Sequence, residues 1–160
     1  MIAAVDPGTG KFGWVICEDT GALLLSGVSP IDDLAEWARI LGNGDLKALE
    51  PLAAEKNGKE HGNDPPDLVL VGTGTGSGHV IELLRGTGLP VKVVPEQYSS
   101  IRGRELFWKI HPPAGLWRLF PITLLVPDRS VDDLAAWSLV LDFIDVNPGS
   151  VSRPGSREAL

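Results

Sequence analysis

The stretch Ile2-Ala-Ala-Val-Asp-Pro-Gly-Thr-Gly-Lys-Phe-Gly-Trp-Val-Ile-Cys17 constrains this chain more than any other. An apolar run leads into an acidic, glycine-punctuated turn and then into a second apolar run. Pro7 cannot donate a ladder hydrogen bond, and Gly8, Gly10 and Gly13 tolerate backbone angles that other residues resist. The chain is therefore expected to leave its first strand at Asp6 and reverse, which presents a carboxylate at the end of a central strand. Taken alone, Asp6 is equally well explained as a residue that caps its own turn. Its partners elsewhere in the chain decide between the two.

After that turn, residues 12–17 read as a second strand, 18–21 as a hairpin turn and 22–28 as a third strand, an antiparallel meander. Ser29-Pro30 supplies a helix start, with Ser as the cap and Pro at the first position, and Leu34, Trp37, Ala38 and Leu41 recur at helical spacing until Gly42. Residues 42–66 scatter Gly, Asn, Lys and Glu around a weak helical patch at 46–52 and read as a mobile, poorly packed excursion, not a domain boundary. Residues 67–71 form a continuous apolar run of the kind buried on both faces in a parallel sheet. A glycine loop at 72–78, a short helix through Val80, Ile81 and Leu84, and a strand at 91–94 complete a right-handed parallel crossover.

The next helix carries Ile101, Glu105, Leu106 and Trp108; a bulky apolar connector spans 112–121; and a last helix at 131–144 presents Leu134, Ala135, Trp137, Leu141 and Ile144. Residues 146–160, with their Pro, Gly, Ser and Arg, read as a disordered tail. Three antiparallel strands followed by helix-separated parallel strands specify an α/β fold of RNase H-like type, a mixed sheet with helices packed on it, in one domain over 1–145.

Composition narrows the function classes. A chain of 160 residues with 43% hydrophobic residues supports one domain with a proper core and is too short for two large lobes around a cleft. The single cysteine, Cys17, has no internal disulfide partner, and no charged-then-apolar leader precedes the first strand, so a cytoplasmic protein is expected. No apolar run approaches the ~20 residues that a membrane helix needs. The formal charge of -7 opposes nucleic-acid binding unless a local basic patch or bound cations supply the positive charge.

The glycine loop fails the spacing of a dinucleotide fingerprint and lacks the Gly-Lys-Ser/Thr ending of a nucleoside-triphosphatase loop. It remains either a plain surface loop or a rim whose amides, with Thr73, Thr75 and Ser77, touch phosphate oxygens at a helix N-terminus. Glu96 falls just past the 91–94 strand, as Asp6 falls at the end of the first. Asp132 and Asp133 open the last helix, where carboxylates are also favoured simply by the helix dipole. Two acids at strand ends and one at a helix start form an all-oxygen set suited to hard divalent cations. Two Mg²⁺ or Mn²⁺ ions about 4 Å apart activate water and stabilise the leaving oxygen in phosphodiester cleavage, and they offset an acidic centre's repulsion of phosphate.

Val5-Asp-Pro-Gly-Thr-Gly-Lys-Phe-Gly-Trp-Val15 resembles the first motif of the YqgF proteins, the pre-16S rRNA processing nucleases and Holliday-junction resolvase relatives that group with the RuvC resolvases in the RNase H-like superfamily. Val93-Val-Pro-Glu-Gln-Tyr-Ser-Ser100 looks like the second motif and Val131-Asp-Asp-Leu-Ala-Ala136 like the third. The resemblance implies a divalent-metal-dependent nuclease acting on structured RNA, such as an rRNA precursor, or on branched DNA. It implies Asp6, Glu96 and Asp132 as the metal-binding catalytic carboxylates, with Asp133 as the substitute if the register slips by one. Mg²⁺ or Mn²⁺ is the implied cofactor, and the implied partner is nucleic acid with room for a homodimer.

Lys11, Arg102 and Arg104 are the basic candidates for gripping backbone phosphates, although the two arginines suit a solvated helix face equally well. Trp108, Trp117 and Phe120 fit the core more readily than base stacking. A second functional class stays open: a non-catalytic nucleic-acid or ribosome-associated module of the same fold, motivated by the low basicity and by Pro95 and Gln97 flanking Glu96 where the family carries Asp and Arg. A third, an actin-like phosphotransferase, shares the Asp-x-Gly-Thr turn but needs a second lobe.

Overall fold

Alternation along the first strand decides where the other elements go. The computed structural model describes residues 1–58, 62–96 and 99–148. In β1 (Ile2–Pro7), Ile2 and Ala4 pack on one face of the sheet and Ala3 and Val5 on the other, all buried. Successive side chains point to opposite faces, so Asp6 shares the face of Ile2 and Ala4. β2 (Lys11–Cys17) returns antiparallel, with Asp6 opposite Gly13. β3 (Leu23–Pro30) pairs antiparallel with β2, and the short β4 (Glu55–Lys56) with β3. On the other side of β1 lie β5 (Leu68–Gly72) and β6 (Val91–Val94), both parallel. The six-stranded order is β4-β3-β2-β1-β5-β6. This mixed sheet, antiparallel on one side of β1 and parallel on the other, is the expected RNase H-like arrangement.

Helices cover both faces. α1 (Leu34–Asn43), α2 (Ser77–Gly86) and a 3-10 segment, Leu46–Leu52, lay Trp37, Leu41, Leu49 and Leu84 against Val5, Phe12, Trp14 and Val69. On the opposite face α4 (Asp132–Val146) packs Ala136, Leu139, Val140 and Phe143 on Ile2, Ala4, Val15 and Leu70. α3 (Ser99–Ile110) lies on the outside of α4, through Leu106 and Phe107 against Leu134. Each large side chain buried this way contributes about 1.5–3 kcal/mol. The larger cluster, with the fully buried Trp14 and Trp37, lies on the α1–α2 side. Among the described residues no helix is long and apolar enough to cross a membrane.

Several local expectations are corrected. Ser29 and Pro30 do not open a helix: both remain in β3, where Pro30 pairs with Lys11 and the Ser29 hydroxyl accepts a hydrogen bond from Trp14 Nε1 at 3.0 Å. A 3-10 turn, Ile31–Asp33, intervenes before α1, which ends at the left-handed Gly44 instead of Gly42. The excursion is more firmly packed than its composition implies, because Leu46 and Leu49 are fully buried and β4 adds a strand to the sheet. α4 has no single apolar stripe, since it is sandwiched between the sheet and α3 and buries residues in two directions. Trp117 and Phe120 are exposed, not core. The tail expected from residue 146 lies, from 149 onward, outside the described residues; α4 itself continues to Val146.

Candidate functional site

Three elements converge on one cleft. Asp6 lies near the end of β1 on the α4 face, Glu96 stands two residues beyond β6, and Asp132 is the first residue of α4. All three line a solvent-open concavity of about 740 Å³, together with Lys11 and Thr75. A second concavity, of about 730 Å³, lies between β6 and the far end of α4 and contains none of them.

Glycines make the convergence possible through space, not through unusual backbone angles: Gly8, Gly10 and Gly13 are not among the residues with positive φ. A Cβ on Gly13 would run into the Asp132 carbonyl and lie 2.6 Å from the Asp133 nitrogen, so only glycine on β2 lets α4 start where it does. A Cβ on Gly72 would collide with Glu96 Oε1, and one on Gly74 would lie 2.8 Å from that oxygen and 2.8 Å from the Pro7 carbonyl. Two glycines of the loop thus cradle the Glu96 carboxylate.

The electrostatics of the cleft are unbalanced. Glu96 Oε1 is buried with no hydrogen-bond partner among the described residues. Burial, a hydrogen bond with the Glu96 carboxyl, and the charges of Glu96 and Asp132 push the Asp6 carboxyl up to about 8. At neutral pH Asp6 therefore keeps its proton, beside the Glu96 carboxyl. Asp132 is in a different position, because Lys11 Nζ lies 2.7 Å from its Oδ2 and donates to Ser130 Oγ at 2.6 Å. Ser130 Oγ in turn donates to Asp132 Oδ2 at 2.9 Å.

The other anticipated residues divide. Asp133 does not join the cleft: it is fully buried, accepting from Ser26 Oγ at 2.7 Å and from Arg129 Nη1 at 2.8 Å. Arg129 Nη2 also donates to Glu55 Oε1 at 2.6 Å, and His111 Nε2 lies 2.7 Å from that same oxygen. Burial alone would raise Glu55, but its bonds to His111 and Arg129 outweigh that and hold it below the usual carboxylate range. Arg102 is paired with Asp142 on α4, outside the cleft, and Arg104 is exposed on α3. Thr75 lines the cleft, whereas Thr73 and Ser77 are not among its lining residues. Thr9 and Ser100 line it and were not anticipated, although each hydroxyl sits beside a motif already singled out on its acid.

The donor chemistry fits a divalent cation on one side of this cleft. Carboxylate oxygens are ligands for hard cations, and a buried Glu96 oxygen with no partner among the described residues, beside an Asp6 whose carboxyl is pushed up, suits a cation in that position. Among the described residues, no three or more His, Cys, Asp or Glu side chains are drawn together into a metal-holding group. The Asp132 carboxylate is held by Lys11 and Ser130 instead.

No protein-family model and no curated protein matches the chain. Among solved structures it is similar to RuvC of Thermus thermophilus in complex with a Holliday junction substrate, at 15% identity over 94% of this chain and 97% of that one, with a TM-score of 0.45. It is also similar to a second Thermus thermophilus RuvC structure, at 17% identity over 94% and 98% of the two chains, with a TM-score of 0.36.

Proposed function

We propose that this protein is a divalent-metal-dependent nuclease that hydrolyses phosphodiester bonds in structured RNA or branched DNA. The observation that carries this reading is the Asp6–Glu96 pair, whose buried Glu96 oxygen has no partner among the described residues, lining one solvent-open cleft of about 740 Å³ with Asp132. The order of the three sequence motifs supports it independently. Asp6 and Glu96 would hold Mg²⁺ or Mn²⁺, and Asp132 would complete the set when Lys11 moves aside. A divalent cation there supplies two things: a lowered pKa for attacking water and neutralisation of charge on the leaving oxygen. The chain's own residues do the rest. The Gly72 and Gly74 cradle fixes the Glu96 carboxylate, and Gly13 fixes the distance of α4 from β2. Thr9, Thr75 and Ser100 place hydroxyls around the cleft for phosphate oxygens, which lets a chain of net charge -7 hold substrate with few cationic side chains.

Asp6→Asn keeps the shape of the side chain and removes its charge. Cleavage of a labelled four-way DNA junction and of a structured RNA, measured with Mn²⁺ and with chelator, should fall by more than about a hundredfold, since even outer-shell partners of a metal are worth 10–100-fold. Undiminished cleavage by folded Asp6→Asn protein overturns the assignment. A second reading, a nucleic-acid-binding module without catalysis, is favoured by the Lys11–Asp132 pair. It predicts junction or RNA binding by the wild type with no metal-dependent cutting.

A further inference from the structure

Among the described residues that line the cleft, Lys11 alone carries positive charge, and it does so on one side. Lys11 belongs to the Asp6 turn, and its place in β2 sets its direction: it shares parity with Gly13 and Val15, which face α4, so its side chain rises on the α4 side of the sheet. There it contacts both Asp132 Oδ2 and Ser130 Oγ, a compact arrangement in which one ammonium group meets two oxygens of the α4 start. Among the described residues Asp6 and Glu96 receive no such contact, and Glu96 Oε1 has no hydrogen-bond partner. The cleft is thus divided into a half that already has its cation and a half that lacks one.

We infer that Lys11 is a built-in competitor for the cation site at Asp132, so that the cleft loads divalent ions in order: a first ion at Asp6 and Glu96, and a second, weaker one at Asp132 only as Lys11 is displaced. This rests on the metal-dependent reading above and goes beyond it by assigning a role to a residue that holds no metal. Magnitude decides between blocking and competing. The Lys11 and Asp132 side chains are 52% and 36% exposed, and an ion pair so open to water is worth too little to exclude a divalent cation. Its loss should change affinity by up to about fivefold. Lys11 therefore tunes the second event and leaves the first in place.

The test is Mn²⁺ binding to the full chain, read by calorimetry and by the electron paramagnetic resonance signal of free Mn²⁺, without nucleic acid and without an activity readout. For wild type two events of unequal affinity are expected. In Lys11→Met the weaker event should tighten by up to about fivefold while the stronger is unchanged, and Lys11→Arg, which keeps the charge, should behave as wild type. Asp6→Asn should lose the stronger event. Lys11→Met with both events unchanged, or with the stronger one weakened, overturns the role of Lys11 while leaving the metal site standing. Absence of Mn²⁺ binding in wild type and all variants overturns the metal reading together with this inference. Thermal melting of each variant establishes that it is folded.

Discussion

Asp132 and Asp133 are neighbours on the first turn of α4, yet they belong to two acidic clusters built on opposite principles. Around Asp133, every charge is answered: Arg129 reaches both Asp133 and Glu55, His111 adds to Glu55, and the Ser26 hydroxyl takes the remaining carboxylate oxygen. In the cleft that Asp132 lines, Asp6 has no cation beside it among the described residues and is left to hold its proton next to Glu96. A satisfied buried cluster holds elements in place, here β3, β4, α4 and the segment before α4. An unsatisfied one costs stability and is kept where a ligand will supply the missing charge. The difference teaches that removing a carboxylate should move stability in opposite directions in the two clusters, down for Asp133 and up, near pH 8, for Asp6.

The largest expected effect on the fold comes from breaking the satisfied cluster. Asp133→Ala leaves the Ser26 hydroxyl without its acceptor and removes one of the two carboxylates that hold Arg129, and because Arg129 keeps Glu55 and has 27% of its side chain exposed the expected cost is about 3 kcal/mol, the lower end for a broken buried pair. Urea denaturation followed by tryptophan fluorescence measures it, and a loss below about 1 kcal/mol would show that the network is not structural.

Gly13→Ala attacks the boundary between the clusters. Its methyl group must push the start of α4 off β2, at a cost of about 1–3 kcal/mol. Cleavage should decline with it, because Asp132 moves away from Asp6. The same substitution at Gly10, which has nothing within 4 Å of a built Cβ, serves as the control.

The pH dependence of the other cluster is the most diagnostic effect. Asp6 is raised from 3.8 to about 8 in the fold, so between those values the folded protein binds more protons than the unfolded chain. Chelator-treated protein should therefore lose stability as pH rises from about 4 to about 8, with the advantage fully present only below the unfolded value. Asp6→Asn should flatten that slope and melt higher than wild type at pH 8. A wild-type melting profile that rises across this range, with no difference in the variant, would mean that the Asp6–Glu96 pair is not under strain.

Much of this was legible in the sequence because it is local. The β1 pattern places Asp6 by simple alternation, and the meander followed by a parallel crossover gives the sheet order. What escaped is what depends on contacts across the chain. Ser29-Pro30 carries a good helix-start signal, but pairing with β2 and the bond from Ile31 nitrogen to Gly10 oxygen, 3.1 Å, keep the strand going. Nothing near residue 132 distinguishes Asp132 from Asp133. Lys11, in the first turn, marks the one and Ser26, in β3, marks the other. Arg102 looked like a phosphate ligand because it follows Glu96 closely, yet its position on α3 turns it toward Asp142. The loop glycines suggested phosphate binding by composition, while their observed contact is with a carboxylate.

The position of α4 has a consequence in time as well as in space. Asp6, Glu96 and Asp132 are supplied by the first strand, the stretch after the last strand, and the helix that follows everything else, so the cleft has high contact order. During synthesis the sheet strands emerge first, and the third acid reaches the cleft only after residue 132 has been made and its helix has docked on β1 and β2. A growing chain thus holds its three acids apart until the helix that begins at Asp132 has been made and docked on the sheet.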